Sequence, residues 1–162
     1  MASYGQHPRD KEPPKDVAAL VAQVEDDGGV VLAVYREPVG DHWQIFALLP
    51  RERVQPTPYQ RDLSPTHAKR LTDAVKKLDR FVDPIVAVSP RAGIYWTPNG
   101  NHRRAVLDKL KAEFVPAILV VEPEVNYQIL ALNTEKAHNL KEKSLEVIRM
   151  YRALAGEQPS TG

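Results

Sequence analysis

Cysteine is absent from the chain. That excludes a disulfide scaffold, a thiolate metal site, a haem thiolate and any cysteine nucleophile, and it fits a reducing compartment. No apolar run approaches the roughly 18–20 residues that span a bilayer. The opening MASYGQHPRDKEPPK has no signal-peptide apolar region. A cytoplasmic protein with no membrane association is therefore expected. An excess of one charge is also missing: 22 Lys and Arg stand against 21 Asp and Glu, a net +1. That balance argues against a histone-like or polybasic protein that binds nucleic acid by bulk charge alone. There is no G-x-G-x-x-G, no P-loop and no internal repeat. Asp, Glu and His are too dispersed for a zinc motif, and no structural zinc is expected.

What is present is a chain of 162 residues, 43% hydrophobic and 27% charged, with a mean hydropathy of −0.40. These values suit one soluble domain of ordinary size. The near-neutral balance hides an asymmetry. Residues 1–50 carry four Lys/Arg and eight Asp/Glu; residues 51–98 carry nine and five; residues 99–162 carry nine and eight. An acidic front is thus followed by a body of net +5, which would suit an anionic ligand, although random scatter explains it equally well.

Residues 1–14 are polar, with Pro8, Pro13 and Pro14, and read as a flexible tail. A domain is expected over 15–155, with 156–162 as a disordered end. Asp16 is placed to cap a helix carrying Val17, Leu20, Val21 and Val24. Val30–Tyr35 and Trp43–Leu49 read as a hairpin around the turn at 37–41. Pro50, Pro56 and Pro58 make 50–63 an extended loop. Ser64-Pro65 starts a helix with Ala68, Leu71, Val75 and Leu78 at helical spacing. Pro84–Val88 and Ile94–Thr97 read as strands about a turn at 89–93, and Pro98–Asn101 as a break. A helix over 101–111 with Ala105, Val106 and Leu110 inward comes next, then a strand at Val115–Val121. Pro123 opens another helix with Val125, Ile129 and Leu132; residues 133–143 are polar, and Ser144 caps a last helix with Leu145, Ile148, Tyr151 and Ala155. Hairpins mixed with helices indicate α+β, or mixed α/β, rather than a doubly wound sheet.

Three stretches carry the chemistry. In Gly100-Asn101-His102-Arg103-Arg104 a strand ends, a glycine turns the chain and a helix begins with two arginines. Free backbone N–H groups and the helix dipole favour phosphate there, Gly100 admits close approach, the arginines add permanent charge and His102 a titratable donor. The other reading is a surface turn with solvated arginines. Gln60 and Arg61 sit on the Pro-stiffened loop, which could close over a ligand or be a plain connector. Glu135, Lys136, His138 and Asn139 lie in a stretch dense in hydrogen-bonding groups, where Glu135 could hold a metal or act as a base, or the stretch could be a solvated helix connection.

The order of these stretches resembles the ParB/sulfiredoxin superfamily, most of all the amino-terminal domain of ParB partition proteins. Pro56–Arg61 is similar to that family's P-x-P-x-Q-P-R loop, Pro84–Val88 to its P-I-V-V strand, and Gly100–Arg104 to its G-E-R-R or G-x-H-R box. Val115–Val121, Glu135–Leu140 and Leu145–Leu154 follow as its later strand, E-N-x-Q-R box and helix. The resemblance covers the core at about residues 48–155.

It implies a ParB/sulfiredoxin-like mixed small sheet with flanking helices. It also implies a pocket for a nucleotide, CTP or ATP, with magnesium, that switches a homodimer acting on DNA in chromosome or plasmid partition or regulation. Gly100, Asn101, His102, Arg103 and Arg104 would hold phosphates, joined by Gln60, Arg61, Lys136, His138 and Asn139. Glu135 would be metal ligand and, with His102, catalytic in slow nucleotide hydrolysis. His102 stands where the family box has an acid, and Lys136 where it has a metal-contacting Asn. Sulfiredoxin's catalytic Cys position is Asn101, which excludes that activity. No helix-turn-helix pattern follows the last helix, so DNA contact is expected to be to phosphates rather than to an operator's bases. Two other functions compete: a DNase or small-molecule phosphotransferase of the same superfamily, and a protein-interaction adaptor with a degenerate pocket.

Overall fold

The computed structural model of the protein describes residues 12–58, 63–138 and 148–154, with the backbone alone for 133–138. The chain runs α1 (Lys15–Asp26), β1 (Val30–Arg36), β2 (Trp43–Pro50), a 3-10 turn at Arg51–Arg53, β3 (Val54–Pro56) and α2 (Pro65–Leu78). Then come β4 (Ile85–Arg91), β5 (Ile94–Asn99), α3 (Asn101–Lys109), β6 (Phe114–Val120) and α4 (Val125–His138). The six strands form one mixed sheet in the order β1-β2-β6-β4-β5-β3. The β4–β6 and β3–β5 pairs are parallel and the others antiparallel. This is the α+β class that the alternation of hairpins and helices indicates, and the hairpin before residue 48 belongs to the same sheet as the rest.

Period-2 patterning fills one face of the sheet. Ile45, Ala47 and Leu49 of β2 lie opposite Leu119, Ala117 and Val115 of β6, and Ile85 and Ala87 of β4 continue the rows beside Ala117 and Leu119. All eight are fully buried. Alanine beside larger neighbours leaves room for the helices to close on this face. Val17 and Val24 of α1 and Leu107 of α3 join the same cluster. Each buried Val, Leu or Ile side chain contributes about 1.5–3 kcal/mol. In β1 both Val31 and Val34 are buried although three residues apart. A bulge between Val31 and Ala33 resets the alternation and makes this possible.

Several boundaries differ from the sequence reading, each for a local reason. Asp16 does not cap α1: Pro14 holds the cap position, and the Asp16 carboxylate accepts from the adjacent Val17 N–H at 2.9 Å. The loop over 50–63 contains β3, whose three residues become a strand only by pairing with Tyr95–Thr97. Strand β5 runs through Pro98 to Asn99 rather than breaking at Pro98. Helix α3 stops at Lys109, and its inward residues are Val106 and Leu107, with Ala105 and Leu110 only half-buried. In α2, Ala68 and Thr72 are buried, Leu71 and Val75 half-buried and Leu78 exposed. Helix α4 continues through Asn133 to His138, and its Leu132 is exposed. The Ser64 cap holds as expected: its Oγ accepts from His67 N–H at 3.3 Å, with Pro65 in the first turn. The expected tail up to residue 11, the Ser144 cap and the end at 156–162 lie outside the described residues. Residues 148–154 are helical.

Candidate functional site

The end of β5 delivers the chain to Gly100, which occupies the cap position of α3 at φ +133°. That conformation is open to glycine and strained for any other residue. A Cβ there would also run into Ile85, with the Ile85 Cβ at 2.7 Å. Gly100 is therefore required by the sheet behind it as well as by the turn. The first helical bond of α3 runs from Arg104 N–H to Gly100 C=O at 2.8 Å. The N–H groups of Asn101, His102 and Arg103 have no acceptor within the helix, and the positive end of the dipole lies among them.

The side chains of this turn divide into fastened and available. Arg103 is fastened. Its Nη1 donates to Pro84 C=O at 2.5 Å and to the Asp83 carboxylate at 3.3 Å, and its Nη2 to Asn99 Oδ1 at 3.3 Å. This ties α3 to the entry of β4. Arg104 spends only Nε, on Asn101 Oδ1 at 3.2 Å, and its two terminal nitrogens have no partner among the described residues. Asn101 itself is buried. Of the two arginines in the box, Arg104 is the one with donors left for an anion.

His102 faces α2. Its Nε2 accepts the backbone N–H of Ser64 at 3.2 Å, which places the proton of the neutral ring on Nδ1. The His67 ring meets it edge-on at 4.6 Å between centroids. Burial, and then the charge of His67, hold the His102 imidazolium below the ordinary histidine range. His102 is thus a neutral acceptor that joins the start of α3 to the start of α2, the helix that follows the Gln60–Arg61 loop in the chain.

One pair beside the site was not picked out from the sequence. Thr57 Oγ1, just beyond β3, donates to Asn126 Oδ1 in α4 at 2.7 Å. Both residues are almost wholly buried, and Asn126 Nδ2 has no hydrogen-bond partner among the described residues. A buried amide hydrogen without an acceptor is costly. The sequence signal is an asparagine one residue into an otherwise apolar helix start, Val125-Asn126-Tyr127, but nothing local says that it turns inward.

Of the remaining expected site residues, Gln60, Arg61 and Asn139 lie outside the described residues. Glu135, Lys136 and His138 fall on α4, where only the backbone is described. Among the described residues no three His, Asp or Glu side chains gather as a metal cage. Nor is any helix long and apolar enough to cross a membrane.

No protein-family model and no curated protein matches the chain. Solved structures do. The chain is similar to the chromosome-partitioning protein ParB from Caulobacter crescentus, C-terminally truncated and complexed with CTP-γ-S. That match has 21% identity and TM-score 0.45, over 57% of this chain and 51% of that one. It is similar to a free serine kinase in complex with AMP, at 21% identity and TM-score 0.42, over 46% of this chain and 30% of that one. It is similar to sulfiredoxin from Arabidopsis thaliana, at 23% identity and TM-score 0.38, over 46% of this chain and 82% of that one. The chain thus spans about half of the ParB chain and under a third of the kinase chain.

Proposed function

We propose that this chain is a nucleotide-binding switch domain whose ligand phosphates seat on the N-terminal turn of α3. The observation that carries the reading is the turn at Gly100, where three N–H groups free of intrahelical acceptors and the uncommitted terminal nitrogens of Arg104 converge. Gly100 and Asn101 supply backbone donors. Arg103 holds the helix in place, so it acts on the ligand by positioning the turn. His102, as a neutral ring, relays the occupancy of the turn to α2. The ligand is CTP or ATP. Solved structures similar to this chain hold CTP-γ-S and AMP.

Magnesium would enter with the phosphates, since it is held by one or two carboxylates plus phosphate oxygens rather than by an all-protein cage. Glu135 on α4 is the carboxylate assigned to it, with a role in slow hydrolysis beside His102. Gln60 and Arg61 before α2, and Lys136, His138 and Asn139 along and after α4, would close over the nucleotide. A homodimer is part of the reading. Residues 148–154 leave Ile148, Tyr151 and Leu154 exposed at helical spacing, a face that a second copy would cover. Contact with DNA, in partition or regulation within the cytoplasm, would go to phosphates through the net +5 carried after residue 50.

Titration calorimetry with CTP, ATP and GTP in the presence of magnesium tests the site. At least one nucleotide is expected to bind, and Arg104→Ala to weaken it tenfold or more, which is about 1.4 kcal/mol. Circular dichroism would confirm that the variant is folded. Absence of binding by all three at millimolar ligand would overturn the reading.

A further inference from the structure

Helix α2 divides sharply into two faces. Ala68 and Thr72 are buried and Leu71 and Val75 half-buried, all on the side turned to the protein. Lys69, Arg70, Asp73, Lys76 and Lys77 are exposed. At 100° per residue these five fall within about a third of the helix circumference, opposite the buried side. Four cations and one acid therefore share one face.

None of the four cations has an ion pair or hydrogen bond among the described residues. Lys15, Arg80, Arg91, Lys109 and Lys111 also have no side-chain partner among the described residues, so what sets α2 apart is that four such cations share one face. Elsewhere some cations are engaged. Arg51 is paired with Asp108, Arg53 lies 4.0 Å from Asp27, and Arg103 is bonded to Asp83. Asp73 sits one turn from Lys69 and from Lys76 without pairing to either. Lys76 and Lys77 suit the negative end of the helix dipole. Lys69 and Arg70, near the other end, have no such use. The fold gains nothing visible from Lys69 and Arg70, and placing four cations together costs self-repulsion.

We infer that the exposed face of α2, through Lys69, Arg70, Lys76 and Lys77, docks on the phosphate backbone of duplex DNA. Lys69 to Lys76 and Arg70 to Lys77 are each seven residues, about 10.5 Å along the helix, so the four long side chains can reach separate phosphates. The face holds no apolar residue between its cations, so it lacks what an interfacial helix inserts into lipid. This deepens the DNA part of the proposed function by naming the surface, and it rests on that part and not on the nucleotide site.

The test is fluorescence anisotropy of a labelled duplex of mixed sequence, with the full chain and no nucleotide, between 50 and 200 mM salt. Four phosphate contacts predict a slope of log K on log salt near −3.6 and a loss of affinity of about 100-fold across that range. The double variant Lys69→Gln/Lys76→Gln should lower the slope by about 1.8. Lys15→Gln, on the exposed side of α1, should leave it unchanged. No binding at 50 mM salt, binding unaffected by the double variant, or stronger retention on anionic lipid vesicles than on the duplex would each overturn the assignment. Calorimetric nucleotide titration of the same double variant separates the two readings. Retained nucleotide binding with lost duplex binding is expected, and nucleotide binding without any duplex binding by the parent chain removes the surface while leaving the α3 site.

Discussion

At Gly100 two constraints coincide. The backbone lies at φ +133° and the Ile85 side chain fills the space a Cβ would need. Neither can be relieved without moving β4, because Ile85 is fully buried in the sheet. Gly100→Ala is expected to destabilise the protein by about 2 kcal/mol, read from the shift of the urea midpoint at unchanged slope. A shift within error of zero would show that the turn can relax. The same residue scale separates the two arginines of the box. Their order in Gly100–Arg104 is plain in the sequence, and so is the suitability of the turn for an anion. Which guanidinium is committed is not, because two of the three acceptors of Arg103 come from Asp83 and Pro84, some twenty residues earlier in the chain.

At the scale of elements, the junction of α2 with α3 rests on a hydrogen bond whose acceptor titrates. Ser64 N–H donates to His102 Nε2. A proton on that nitrogen would replace the acceptor by a second donor. The folded state holds the His102 pKa below its ordinary 6.5, so the unfolded chain binds the proton more readily. The stability contributed by this neutral ring is full above pH 6.5 and falls as pH drops from 6.5 through the folded value. Thermal unfolding from pH 8 to pH 5 should therefore show a falling midpoint. His102→Gln, which keeps an acceptor but does not titrate, should flatten that part of the profile. An unchanged profile would mean that the bond contributes nothing. The Ser64-Pro65 start of α2 is readable from sequence because capping is chemistry between near neighbours. Its tie to His102, 38 residues away, is not.

For the whole molecule, α1 is attached to the far hairpin by a half-buried polar cluster. The Tyr95 hydroxyl, on β5, donates to the Asp27 carboxylate just after α1 at 2.7 Å. Gly93 N–H also donates to Asp27, at 3.2 Å, while Gln23 donates to Ser89 and to the Tyr95 oxygen. Burial, followed by the bond to Asp27, raises the Tyr95 phenol well above its ordinary pKa, so it stays a donor. Asp27 is thus a carboxylate of the acidic front that ties distant parts of the fold together. Tyr95→Phe removes one donor to a charged acceptor and should cost about 1–3 kcal/mol in urea unfolding. No loss would mean that water replaces the hydroxyl.

The sequence by itself determined the class, most of the elements and the position of the Gly100–Arg104 turn. Hydrophobic period, proline, glycine and capping residues act over a few residues and can be read in order. Tertiary structure alone decided the rest. β3 exists only against β5, and the β1 bulge only through its register with β2. Asn126 is a buried polar residue only because Thr57 is brought to it. The four α2 cations are conspicuous only once the helix is seen to turn them to one exposed face, unpaired with Asp73. Each of these depends on residues distant in the chain, and pairing, burial and charge compensation are properties of the partner as much as of the residue.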